Sequence, residues 1–470
     1  MQRKFFLTLT IILSAMIFSI TAAAQQKFTV ALHGRQEVPA NNSPGSGNCM
    51  VTLSTTETQI TVECSYRNLT SNVVGAHIHD NGPVGVNGPI RFNLNHTGAT
   101  TGTIGPVTFN TTPAQIADLR SNKWYVNIHT SNFPNGEIRG QVKRASLSAD
   151  YDGDGRTDVI VFRQSTQTVY VLNSLDNSIS GFGLGTGTRD IFINNGGDFD
   201  GDGRADPALL KFNDDFTEMS WVILQSGTNT FRVERWGDGI SDAIQPSDYD
   251  GDGKMDIAVF RRQTGIWYIK ESSTGNTRTV TNFGAPTDIP AVGDYDGDGK
   301  ADLCIIRAES GTNGPKSWYI QYSSTGQVQR IEWGANATDG TFYFFPMDFD
   351  GDGKQDIYVL RGVNGQRVHF VRRSSDGQMY TLPWGTAGTP SPQYGDYDGD
   401  GKTDPVAREI IPGGNNGTTR WHIFQSATQT HRTVDFGERL GQQGNSCCDS
   451  RPGGPQAELP IDIEGGSGIY

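Results

Sequence analysis

Apolar and polar residues alternate in short runs along most of the chain, and glycine, asparagine, aspartate or serine breaks the runs every few residues. Met50 to Glu63 alternates with a period of two, which places its apolar residues on one face of a hairpin turning near Thr56 and Glu57. Compact apolar runs such as Ile257-Ala-Val-Phe260 and Ile357-Tyr-Val-Leu360 come later, and aromatic runs such as Trp267-Tyr-Ile269 recur among them. With 59 glycines and 21 prolines, regular structure is interrupted too often for long helices. The pattern predicts an all-β protein of short strands and tight turns. Residues 1–24 stand apart. Gln2-Arg3-Lys4 precedes an almost wholly apolar stretch from Phe5 to Ile20, and Ala22-Ala-Ala24 follows, the order of a secretory signal peptide cleaved after Ala24. The competing reading is an uncleaved anchor; no later segment is apolar enough to span a bilayer.

Comparing the chain with itself reveals one unit six times over. Asp-(Tyr/Phe)-Asp-Gly-Asp-Gly-x-x-Asp begins at Asp150, Asp198, Asp248, Asp294, Asp348 and Asp396, at intervals of 48, 50, 46, 54 and 48 residues. Most copies continue with an apolar strand, an aromatic strand, a turn such as Ser272-Ser-Thr-Gly275, and a third strand ending in an aromatic-glycine pair. A short strand then leads into the next acidic loop. Four short strands per unit of about 50 residues is the content of a propeller blade. Such units bury their faces by stacking around an axis. Six blades are expected; a seventh would need the tail at 438–470, where 459–463 is a candidate closing strand.

The acidic loop carries the clearest chemistry. Positions 1, 3, 5 and 9 bring four carboxylates together, and glycines at 4 and 6 allow the sharp turn. The sets are Asp150, Asp152, Asp154 and Asp158; Asp198, Asp200, Asp202 and Asp206; Asp248, Asp250, Asp252 and Asp256; Asp294, Asp296, Asp298 and Asp302; Asp348, Asp350, Asp352 and Asp356; and Asp396, Asp398, Asp400 and Asp404. Oxygen donors without histidine or cysteine select calcium over zinc or copper, so up to six Ca²⁺ are expected. Position 12 is apolar in every copy (Val161, Leu209, Val259, Ile305, Val359, Ala407), so the loop feeds a strand and not the second helix of a calcium hand.

Charge fits this reading. The chain has 51 acidic and 38 basic residues. Loss of the two basic leader residues leaves a net −15, and the loops hold 24 of the acids; six calcium ions would bring the total to about −3. Net acidity argues against a nucleic-acid partner. Position 7 is always basic (Arg156, Arg204, Lys254, Lys300, Lys354, Lys402), with its side chain expected to point outward.

Residues 146–437 resemble FG-GAP/VCBS repeats, the calcium-loop blades of integrin-type β-propellers. The resemblance implies calcium ligation by the four aspartates together with the backbone carbonyl of position 7, hence of Arg156, Arg204, Lys254, Lys300, Lys354 and Lys402.

Residues 27–144 use another vocabulary, with Val30-Ala-Leu-His-Gly-Arg-Gln-Glu-Val-Pro39, Ala76-His-Ile-His-Asp-Asn-Gly82 and Tyr125-Val-Asn-Ile-His-Thr130. They resemble the CHRD domain, which implies a sandwich-like all-β module. His77 and His79 share one strand face, and His129 lies on the polar face of another. These three form a candidate second metal site, with His96 or Glu137 as a further ligand. The plainer reading has them hydrogen-bonding loops, and zinc or copper is not expected there. Cys49 and Cys64 stand symmetrically about the hairpin turn and are expected to form a disulfide. Cys304 is expected as a buried free thiol; the redox state of Cys447 and Cys448 is not legible.

No catalytic signature such as Gly-x-Ser-x-Gly or His-Glu-x-x-His occurs. The expected function is a secreted or cell-surface, calcium-binding, non-enzymatic binding or adhesion protein with an extracellular protein or glycan as ligand. The alternatives are a carbohydrate-binding or polysaccharide-processing propeller, and a metal-dependent redox activity in the first module.

Overall fold

The computed structural model describes residues 26–440 and 458–459, except 55, 84, 121–122, 145–148, 164–165, 185–189, 194–195, 310–313, 336–338, 341–346, 387–392 and 412–415. The leader and Cys447-Cys448 lie outside the described residues. Among the described residues no helix is long and apolar enough to cross a membrane.

The first module contains β1 (Gln26–His33), β2 (Ser46–Leu53), β3 (Gln59–Arg67), β4 (Val73–His79), β5 (Ile90–Asn93), β6 (Gly102–Asn110), α1 (Pro113–Arg120), β7 (Tyr125–Thr130), β8 (Ile138–Gln141) and β9 (Lys143–Arg144). They form one antiparallel sheet in the order β5-β4-β7-β8-β1-β2-β3-β6, with β9 added to β1. Strand β3 alternates exposed and buried residues as its period-two pattern requires, placing Ile60, Val62, Cys64 and Tyr66 inside. The sandwich-like packing comes from this one sheet curling over itself. Its two edges meet through Phe92 of β5 and Phe109 of β6, stacked at 4.5 Å, and Trp124, Ile116 and Leu119 fill the core between.

Cys49 and Cys64 are register partners in β2 and β3 and are joined by a disulfide. The bridge closes a short loop, with a sequence separation of 15, so its loss is worth at most about 3 kcal/mol. Reduction is expected to lower the module's melting point modestly without unfolding it at room temperature. Thermal melts with and without reductant check this. Cys304 is fully buried and unbridged.

The remaining strands form six blades. The third is typical, with strands Asp242–Ile244, Ile257–Arg261, Ile266–Lys270 and Thr277–Val280 paired in that order. Apolar runs make the second strand because both of its faces are covered: Ile257, Ala258, Val259 and Phe260 are all buried. The position-12 residues lie in these strands. The aromatic strand supplies a central indole in four blades, and each indole N–H donates to the carbonyl of its own aromatic-glycine pair. These bonds are Trp221 to Trp236 at 3.0 Å, Trp267 to Phe283 at 2.6 Å, Trp318 to Trp333 at 3.1 Å and Trp421 to Phe436 at 2.9 Å. In the fifth blade the buried His369 takes over, its Nδ1–H donating to Leu382 at 3.0 Å.

The ring closes at six. The position-8 N–H of each loop donates to the position-1 carbonyl of the loop before it: Ala205 to Asp150, Met255 to Asp198, Ala301 to Asp248, Gln355 to Asp294 and Thr403 to Asp348. Thr157 N–H completes the circle on Asp396 at 2.7 Å, and Val159 and Val161 of the first blade pack with Trp421 and Ile423 of the sixth. A seventh blade has no place in this circuit. Of the expected closing strand, Leu459 pairs with Phe162, so the tail adds a fourth strand beside the apolar strand of the first blade. Residues 460–463 lie outside the described residues.

Candidate metal centres

Each acidic loop is organised by its own backbone. In the third, the Asp248 carboxylate accepts the N–H groups of Gly251 at 2.6 Å, Asp252 at 3.2 Å and Gly253 at 2.9 Å. Gly251 and Gly253 adopt φ of +78° and +86°, a conformation that a side chain would strain. Asp256 accepts from Tyr249 N–H at 2.8 Å and from Ser272 N–H at 2.6 Å, tying the loop to the turn after the aromatic strand.

Folding brings carboxylate oxygens from positions 1, 3 and 9 within 4.8 Å of one another in Asp150/Asp152/Asp158, Asp198/Asp200/Asp206, Asp248/Asp250/Asp256 and Asp294/Asp296/Asp302. The fifth-position carboxylate stands apart from these tight sets and is held by serine. Asp252 Oδ1 accepts Lys254 N–H and the Ser272 hydroxyl, both at 2.9 Å. Ser174, Ser226, Ser323, Ser374 and Ser426 repeat the arrangement on Asp154, Asp202, Asp298, Asp352 and Asp400. The sequence reading gave these serines no role. Their recurrence at the end of every aromatic strand was the available signal.

The donor set fits a hard divalent cation. Burial, reinforced by the neighbouring carboxylates, pushes Asp206 and Asp302 up to about 8 and Asp256 up to about 7. Like charges crowded into a dry loop resist ionisation, and a bound cation removes that resistance. The position-7 side chains do not point outward. Each of Arg204, Lys254, Lys300, Lys354 and Lys402 lies over the first glycine of the preceding loop, and a Cβ on Gly201 would meet Lys254 Cε at 2.9 Å. The acidic neighbour attracts the basic side chain, and the bare glycine leaves room for its stem.

The first loop differs, because the first module sits on it. His33 Nε2 contacts the Asp152 carbonyl at 2.9 Å, and Gln36 Nε2 donates to the Gly153 carbonyl at 2.8 Å. A side chain on Gly203 of the second loop would strike the backbone of Ala31 at 2.8 Å. Lys143 of β9 inserts its ammonium against the Asp150 carboxylate. Burial works against that charge, but Asp150, Asp198 and Asp154 outweigh it and hold the lysine protonated. This loop, whose four aspartates are all buried, therefore already contains a cation made by the protein. Lys143 and a bound cation would compete for the Asp150 carboxylate, which still converges with those of Asp152 and Asp158.

The histidines also converge. His77, His79 and His129 each bring one ring nitrogen within 4.8 Å of the others. His77 and His79 project from the same face of β4, and the register pairs Gly75 with His129 on β7. Burial, then the neighbouring rings, lowers His77 to about 4, and burial likewise lowers His79 and His129, so all three are neutral at pH 7. Of the two further ligands considered, Glu137 is committed elsewhere: it accepts Ser43 Oγ–H, Thr70 N–H and Thr130 Oγ1–H, tying loops to the sheet. His96 acts electrostatically on His77.

Fold and sites together define an all-β protein with a curled-sheet module seated on a six-bladed propeller of acidic loops. Residues 28–142 match the CHRD domain, and residues 248–305 and 348–407 match the FG-GAP-like repeat. The chain carries a CHRD domain followed by FG-GAP-like repeats. No curated protein matches it in sequence. Similar solved structures include the β-propeller domain of the Trilobed protease from Pyrococcus furiosus (12% identity, 67% of this chain and 91% of that one, TM-score 0.31). Others are a Synechocystis apocarotenoid oxygenase mutant (9%, 66% and 81%, 0.29) and a hypothetical selenium-binding protein from Sulfolobus tokodaii (11%, 79% and 93%, 0.33). At these TM-scores the likenesses carry no argument about function.

Proposed function

We propose that the protein is an exported, calcium-loaded, non-enzymatic binding or adhesion protein, in which loops two to six hold calcium and Lys143 supplies the positive charge in loop one. The observation that carries this is the convergence of buried carboxylate oxygens in the acidic loops, an all-oxygen donor set whose charge needs a hard cation. In this reading the aspartates at positions 1, 3 and 9 hold the ion, and the position-5 aspartates and position-7 carbonyls complete the set. Calcium supplies charge neutralisation and loop rigidity; the ligand-binding surface lies elsewhere on the propeller, because the first module covers part of the loop-bearing end. Export is supported by the Cys49–Cys64 disulfide, which persists in oxidising compartments, and by the apolar leader.

Equilibrium dialysis with metal analysis tests the calcium assignment. Five equivalents are expected in the natural protein and six in Lys143→Met, where the first loop is freed; one equivalent or fewer would end the calcium reading. The binding role is tested by capture from cell-surface extracts and by glycan arrays, each with calcium and with chelator. Capture that is lost in chelator supports it. Turnover of a polysaccharide by the purified protein would overturn the non-enzymatic reading.

A further inference from the structure

The histidine corner of the first module serves no purpose assigned so far. We propose that His77, His79 and His129 bind one late first-row divalent ion, of the zinc and copper kind, with a coordination position open to solvent.

Orientation of the rings argues for it. His79 Nδ1 lies 2.9 Å from the Gly88 carbonyl and His129 Nδ1 lies 2.9 Å from the Pro134 carbonyl. A carbonyl can only accept, so each Nδ1 carries the proton and each neutral ring presents a bare Nε2. A backbone carbonyl behind the ring is the usual way a protein fixes a metal-binding imidazole. Both bare nitrogens point at one place, each 3.1 Å from Asn127 Oδ1. With its amide in this orientation, Asn127 offers the two rings an acceptor and no donor. Three acceptors thus face one another, and the fourth group, His77 Nδ1, offers at most one proton to His129 Nε2 at 3.0 Å. A hydrogen-bonded cluster without an ion leaves lone pairs opposed; a cation satisfies them together.

Spacing and access agree. Two nitrogens about 2.05 Å from one tetrahedral ion lie about 3.3 Å apart, close to the His77–His129 separation. Gly75 leaves room for the His77 ring, since a Cβ there would meet its Cε1 at 3.2 Å. A further imidazole, His96, has a buried Nδ1 with no hydrogen-bond partner among the described residues. His77 and His129 are half-buried, so the site is reachable from solvent. Nitrogen donors do not compete for calcium, and the acidic loops do not favour the softer ion, so the two kinds of site sort metals by donor chemistry.

The test uses tag-free protein, stripped with chelator, returned to millimolar calcium, and titrated with Zn²⁺ or Cu²⁺ against a competing chromophoric chelator. One equivalent bound with a submicromolar Kd is expected, and the two arms decide which ion is preferred. His77→Gln and His129→Gln should each weaken binding by about tenfold or more. His431→Gln, which breaks the exposed His422–His431 pair at 3.0 Å on the sixth blade, should leave it unchanged. A readout independent of any variant is the electron paramagnetic resonance of the Cu²⁺ form, where coupling to three imidazole nitrogens is expected. Absence of stoichiometric binding, unchanged affinity in both His77 and His129 variants, loss on His431→Gln, or coupling to fewer than two imidazoles overturns the proposal.

Discussion

Chelating calcium is expected to lower the propeller's melting temperature by roughly 4–28 °C while barely moving that of the first module. Extracellular calcium modules bind with dissociation constants of about 10⁻⁴–10⁻³ M. At about 1 mM free calcium each site then stabilises the native state by roughly 0.4–1.4 kcal/mol by mass action. Five sites sum to roughly 2–7 kcal/mol, and in a unit of this size each kcal/mol moves the midpoint by about 2–4 °C. The physical cause is visible in the third loop, where Asp248, Asp250 and Asp256 crowd together and burial, with repulsion from Asp250, pushes Asp256 up to about 7. Calorimetry with and without chelator checks this. Asp250→Ala combined with Asp252→Ala should reproduce part of the loss in the presence of calcium. An unmoved propeller transition would mean that calcium is not the structural ion.

Trp267→Ala is expected to cost about 3–5 kcal/mol through the cavity it leaves, and more from the hydrogen bond it removes. Trp267 is wholly buried, packs on Phe260 with ring centroids 4.8 Å apart, and donates its indole N–H to the Phe283 carbonyl. The same cluster contains Val292, Ala301, Leu303 and Ile305 toward the fourth blade, so the third blade loses its hold on a neighbour as well as its own centre. Trp267→Phe should cost less, because it keeps one ring in the apolar contact while losing the donor and the rest of the indole. Denaturant unfolding of the two variants in calcium compares the losses; equal losses would show that the retained ring contributes nothing.

Much of the candidate chemistry was legible because it is local or repeated. The carboxylates of one loop lie within nine residues, so their convergence needs only the two glycines and the turn they permit. The serines that hold the position-5 aspartates recur as visibly as the loops, yet they sit a whole hairpin away, and only the paired strands bring Ser272 back over Asp252. The outward position-7 side chains were misjudged for a related reason. A lysine's direction on a ring depends on the loop next door, and nothing inside a single repeat unit specifies which glycine Lys254 will cross.

The sequence by itself determined the all-β class, the six-unit repeat, the acidic loops and the Cys49–Cys64 pairing, since each follows from hydrophobic period, turn chemistry or symmetry about one hairpin. Tertiary structure alone decided the rest. The count of six became a closed ring only through Thr157 donating to Asp396, a contact between residues at opposite ends of the repeat region. Lys143 reached Asp150 because the first module docks on the loop-bearing end, and that docking gives one of six similar loops a cation of its own. His77 and His79 shared a face in any reading, but His129 joined them through the register of β4 on β7, which also sets Asn127 opposite His77. Local pattern sets what each segment can form; which segments meet depends on long-range packing that no short window of sequence contains.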